Sequence, residues 1–109
     1  MSAVIDLQAL RFPVAQIHLN NLLDKFIESE TDIMTIISIE PMLRRCIEQR
    51  IIHRELPLSL QDNPLIEKIS QQHIVEWGED FDEEDYEDVS NRIHYTIKRL
   101  RTTEQHQQR

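Results

Sequence analysis

Residues 79–101 read EDFDEEDYEDVSNRIHYTIKRLR, a stretch that opens in a dense acidic run and closes in a basic one. This layout matches a helix macrodipole, which favours carboxylates at its N-terminal end and cations at its C-terminal end by about 0.3–1 kcal/mol each. Glu83, Glu84, Asp85, Glu87 and Asp88 fall at one end, and Lys98, Arg99 and Arg101 at the other. Asp82 suits the N-cap with Asp85 as its capping-box partner, and Phe81 with Tyr86 would form the hydrophobic staple. Tyr86, Val89, Ile93, Ile97 and Leu100 recur at three- and four-residue spacing, giving one narrow apolar stripe. The spacing predicts a single polarised helix over 82–101 with one side docked on the rest of the chain.

The remaining chain gives the same impression. Its single glycine, Gly78, and four prolines are too few for a turn-rich all-β domain. Pro13 suits the first turn of a helix over 13–29, whose apolar face is Ala15, Leu19, Leu22, Leu23, Phe26 and Ile27. Pro41 likewise begins a helix over 41–55 with Leu43, Cys46, Ile47 and Ile51 on one face. Asn63 as cap and Pro64 as first residue open a third, over 64–77, which buries Leu65, Ile66, Ile69, His73, Ile74 and Trp77 and ends at Gly78. The uncharged run 33–39, IMTIISI, fits a buried strand or a buried helical turn; a cap at Ser29 followed by Asp32 and the helical neighbours favour the turn. Residues 56–61 suit an extended connector, and 3–12 a strand, a helical turn or an arm.

The expected architecture is an all-α compact bundle of four or five short helices, a single helical domain over 1–101 followed by a disordered polar tail, 102–109. Stripes this narrow, with few large aromatics, favour a homodimer formed through helix faces. The lone Cys46 excludes an internal disulfide, no secretory leader pattern opens the chain, and no segment offers the roughly 20 apolar residues of a membrane span. The expectation is a soluble, cytoplasmic protein. A net charge of −8 repels nucleic acid and anionic membranes unless charge is segregated, and it is: Arg44, Arg45, Arg50 and Arg54 stand against Glu48 alone in the predicted second helix before Glu55.

Several chemistries can be weighed on these residues. Asp80, Asp82 and Glu84 alternate as in an EF-hand loop, but the sixth position is Asp85 rather than glycine and the twelfth is Asn91 rather than glutamate. Glu76 and Glu79 have the ExxE spacing of all-α nucleotide pyrophosphatases of the MazG type, a resemblance that implies metal-dependent nucleotide hydrolysis. Gly78 interrupts that pair, and the eight residues to Glu84 are too few to leave one helix and run along its antiparallel neighbour. His18, His53, His73 and His94 fall on different predicted elements with no HxxxH or ExxH pairing, and Cys46 lies on an apolar face. The run LRRCIEQRIIHR could meet phosphates, with Gln49 reaching bases. The acidic balance and the lack of aromatic interleaving or helix-turn-helix spacing oppose that reading, and pairing of these arginines with the acidic run is the plainer account.

The expectation is therefore a non-enzymatic adaptor or regulator with no cofactor and no metal. Its acidic run, Glu79, Asp80, Asp82, Glu83, Glu84, Asp85, Glu87 and Asp88, would engage a basic surface on a protein partner. Trp77, Phe81 and Tyr86 would be the aromatic anchors at its edge, and imitation of DNA is a special case of the same idea.

Overall fold

The chain alternates strands and helices: β1 (Ser2–Asp6), α1 (Val14–Glu28), β2 (Ile33–Ser38), α2 (Leu43–His53), β3 (Leu58–Leu60), β4 (Leu65–Lys68), α3 (Gln71–Trp77), a 3-10 turn (Gly78–Asp80) and β5 (Asn91–Arg99). This computed structural model describes residues 2–81 and 87–100, the side chain of Asp80 excepted.

The five strands make one mixed sheet in the order β1-β2-β5-β3, with β4 following β3 along the same edge of β5. β1 and β2 run parallel, joined by α1, as a parallel pair requires a crossover. β5 lies antiparallel between β2 on one side and β3 with β4 on the other. Between β3 and β4, residues 61–64 stand opposite only 95 and 96, a bulge held by the Gln61 amide donating to the Thr96 carbonyl at 2.9 Å.

Alternation along the strands decides what is buried. The register puts Ile5, Met34, Ile36, Tyr95, Ile97 and Leu58 on one face, where Ala15, Leu19, Leu23 and Phe26 of α1 and Leu43 and Ile47 of α2 cover them. Each large side chain buried there contributes about 1.5–3 kcal/mol. A smaller cluster of Ala9, Ile39 and Trp77, with Ile69, Phe81 and Val89 against it, closes the end of the sheet at which β1 and β2 finish.

This architecture overturns the all-α bundle. α1 and α2 follow the predicted spacing, but 33–39 contains β2, the connector 56–61 contains β3, and the segment 64–77 divides into β4 and a short α3. Asn63 and Pro64 precede a strand; the N-cap is Ser70, whose Oγ accepts from the His73 amide at 3.2 Å. No helix spans 82–101: Glu87 and Asp88 form a turn and 91–99 is the central strand. The proposed cap at Asp82 and half of the acidic run, Asp82, Glu83, Glu84 and Asp85, lie outside the described residues, as does the tail 102–109. The stripes of α1 and α2 are covered by the sheet within the chain, whereas Leu65 and Ile66, expected on a buried helix face, are 63% and 59% exposed on β4.

Arg99 shows where the dipole argument belonged. Its guanidinium donates to the carbonyls of Phe26, Ile27, Ser29 and Thr31 and lies 5.1 Å above the Phe26 ring. It thereby caps the C-terminal end of α1, seventy residues earlier in sequence, rather than the end of its own segment.

α2 ends in a Schellman motif: the Leu56 amide donates to the Ile51 carbonyl at 3.0 Å and the Glu55 amide to Ile52 at 3.2 Å. Glu55 occupies the left-handed position, with φ of 50°, where glycine is usual. Glu55→Gly is expected to raise stability by about 1 kcal/mol in urea denaturation, because the side chain is exposed and the gain is relief of backbone strain.

Candidate functional site

The acidic run occupies the connection between α3 and β5, at the end of the sheet where β1 and β2 finish. Glu79, Glu87 and Asp88 are exposed there. Trp77 is not: it is 7% exposed, stacked on His73 at 5.6 Å and tilted against Phe81 at 5.6 Å. Its surface is taken up in holding the connection to the body. Tyr86 lies outside the described residues.

Beneath the run lies a buried ionic clamp. Glu40 follows β2, and its carboxylate, 4% exposed, accepts from the Phe12 amide at 2.8 Å, the Met42 amide at 2.9 Å and Arg11 Nε at 3.1 Å. Burial is the largest single influence on this carboxyl and disfavours its charge. The two amides and the arginine together outweigh it and hold the pKa below the usual carboxylate range. The two remaining Arg11 nitrogens fork onto the Asp88 carboxylate at 3.1 and 3.3 Å. One carboxylate thus ties the β1–α1 connection, joined by a cis Phe12–Pro13 bond, to the start of α2, and through Arg11 to the acidic connection. Phe12 and Met42, whose amides it fixes, leave their side chains about half exposed beside it. A cleft of about 160 Å³ lined by Ile39, Pro41, Asp88, Val89, Ser90, Asn91 and Ile93 opens nearby.

The arginines of α2 do not meet the acidic run among the described residues. Arg44 pairs with Glu48 at 2.9 Å and more loosely with Asp62 at 3.7 Å, and Arg50 pairs with Asp24 at 3.3 Å. Arg45 on the same helix and Arg54 at its C-cap are exposed. Arg50 and Arg54, with Gln16, Asn20, Cys46, Gln49 and His53, line a groove of about 230 Å³ between α1 and α2. Burial there pushes the Cys46 thiol up, with Glu40 adding to the effect against Arg45, so it is not an activated nucleophile.

A second polar cluster sits on the sheet face away from α1 and α2. Arg92, 9% exposed, donates to Asp6 Oδ2 at 2.8 Å and to Glu67 Oε1 at 2.7 Å, and Glu67 also accepts from His94 Nε2 at 2.8 Å. Chiefly that hydrogen bond, and then the Arg92 charge, keep the Glu67 carboxyl below its usual range. His73 Nδ1 lies 3.1 Å from Ser70 Oγ, the contact of a serine with its base. Its Nε2, however, faces Arg92 Nη1 at 2.8 Å, where a catalytic dyad would place a carboxylate. Nδ1 also accepts from the Ser70 amide at 3.0 Å while Ser70 Oγ accepts from the His73 amide, so the arrangement is a capping box set against the sheet rather than a dyad. Among the described residues no group of three or more His, Cys, Asp or Glu converges as a metal site, and no helix is long and apolar enough to cross a membrane.

Comparison with protein-family models, curated proteins and solved structures gave no match.

Both clusters escaped the sequence. Glu40 gave a faint signal as the first charge after an uncharged run, but its partner Arg11 is 29 residues away and the Arg92–Asp6 pair is separated by 86. The ExxE reading of Glu76 and Glu79 depended on an all-α fold, which the sheet replaces.

Proposed function

We propose that the protein is a non-enzymatic interaction protein whose acidic connection, residues 79–88, docks on a basic surface of a protein partner. The observation that carries this reading is the separation of charge. The arginines of α2 are engaged by Glu48, Asp62 and Asp24, or exposed, while the described part of the acidic run is anchored by Arg11 from beneath. Clustered carboxylates repel one another and relieve that repulsion when cations meet them. The clamp at Glu40 fixes the base of the run and sets Phe12 and Met42 next to it. A partner would therefore bring lysines and arginines around an apolar contact, with charge steering the encounter and the apolar centre holding it.

The test replaces Asp82, Glu83, Glu84 and Asp85 by their amides and compares capture from the native host at about 50 mM and about 500 mM salt, spanning weak to strong screening. The expected result is a basic protein retained by the unaltered chain at low salt, released at high salt, and absent from the variant. Equal retention by both chains would remove the acidic connection from the account.

A further inference from the structure

Among the described residues, a five-residue strand with one side unpaired closes the sheet at β1. The two edges of this sheet are built differently. The β3–β4 edge has a proline just before it at Pro57, a second, Pro64, within the 61–64 bulge, a left-handed residue at Asn63, and the charged Glu67 and Lys68, all devices that discourage pairing with another strand. β1, with sequence SAVID, has no proline, no bulge and no charge before its last residue, and Val4 is 65% exposed.

The direction of its free groups follows from one hydrogen bond. The Leu7 amide donates to the Ile37 carbonyl at 2.8 Å, so the main-chain groups of Ile5 and Ala3, two and four residues earlier, face β2 as well. Those of Ser2, Val4 and Asp6 therefore face outward. We propose that this edge is an interface with a second copy of the chain, β1 pairing antiparallel with its twin about a two-fold axis at Val4.

The sequence of β1 is self-complementary in that register. Val4 meets Val4, and Ser2 meets Asp6 on both sides of the axis, so a hydroxyl faces a carboxylate and no like charges are opposed. All three pairs are of the hydrogen-bonded kind, giving about six main-chain bonds across the junction. Asp6 is already held by Arg92 and by the Gln8 amide, at 2.8 Å each, which keeps the end of the strand in place. Net charge does not oppose the union. The acidic connection lies at the end where β1 finishes, and the two-fold sends the two connections to opposite ends of the joined sheet. They are then roughly a strand length apart, about 30 Å for nine residues and beyond the screening length of about 10 Å at 0.1 M salt. The proposal stands independently of the docking role of the acidic residues.

The test is sedimentation equilibrium of the full chain between about 10 µM and about 1 mM, the range in which a small interface associates. The mass is expected to rise from one chain toward two, with little dependence on salt. Val4→Pro removes an amide that faces outward and leaves the bonds to β2 intact, and Val4→Lys adds an edge charge. Both are expected to stay monomeric while keeping the circular dichroism spectrum and melting temperature of the parent. The amide variant of residues 82–85 is expected to dimerise as the parent does. A parent that stays monomeric at about 1 mM, a dimer that survives both Val4 substitutions, or a dimer abolished by changing residues 82–85 would overturn the proposal.

Discussion

Glu40→Ala is expected to cost about 3–5 kcal/mol, the penalty of removing one member of a buried ion pair and leaving its donors unmatched. The residue is 3% exposed, and three donors converge on its two oxygens: the Phe12 and Met42 amides and Arg11 Nε. Against a total stability of about 5–15 kcal/mol, this loss brings the fold close to failure. Equilibrium unfolding in urea measures it directly. Glu40→Gln is expected to recover only part, since an amide presents one acceptor and one donor to groups that all donate.

The pH dependence has a definite sign. The Glu40 carboxyl titrates below its usual range in the folded chain, so its contribution is complete above the unfolded-state value of about 4.3 and disappears as pH falls through the folded value. Glu67 is shifted the same way by His94 and Arg92 and adds to the effect. Acid unfolding of the parent is therefore expected to steepen below about pH 4, and Glu40→Gln is expected to flatten it.

Arg99→Ala is the second large loss, expected at about 2–4 kcal/mol from charge-assisted hydrogen bonds to the end of α1 and the contact with Phe26. A lysine keeps the charge but cannot fork to carbonyls of Phe26, Ile27, Ser29 and Thr31, so Arg99→Lys is expected to restore less than half. Amide exchange in the last turn of α1 distinguishes this from a general loss, because that turn should open in Arg99→Ala before the sheet does.

The helices α1 and α2 were legible because their apolar positions fit a 3.6-residue period and no other. β5 was misread for a reason built into the two periods. Ile93 and Ile97, four apart, share a face in a helix and in a strand alike, and Tyr95 midway between them is the residue that decides. In the structure Tyr95 is buried opposite Ile36, on the same face as Ile97 opposite Met34 and Ile93 opposite Ser38, which only a period of two allows. β2 is short, uncharged and mostly apolar, a pattern that periodicity alone cannot resolve. The scarcity of glycine misled as well. The chain turns through left-handed conformations at Gln8, Glu55 and Asn63, with φ of 54°, 50° and 60°, so its turns were present without their usual marker. At the candidate site, the acidic run was plain in the sequence. The clamp beneath it joins residues 11, 40 and 88, which only the sheet topology brings together.

Once a captured partner is identified, the most direct measurement is its association rate with the parent and with the variant amidated at residues 82–85, as a function of ionic strength. The rate is expected to fall steeply with salt for the parent and to be slow and nearly independent of salt for the variant. The same rate and the same salt dependence for both chains would contradict docking through the acidic connection.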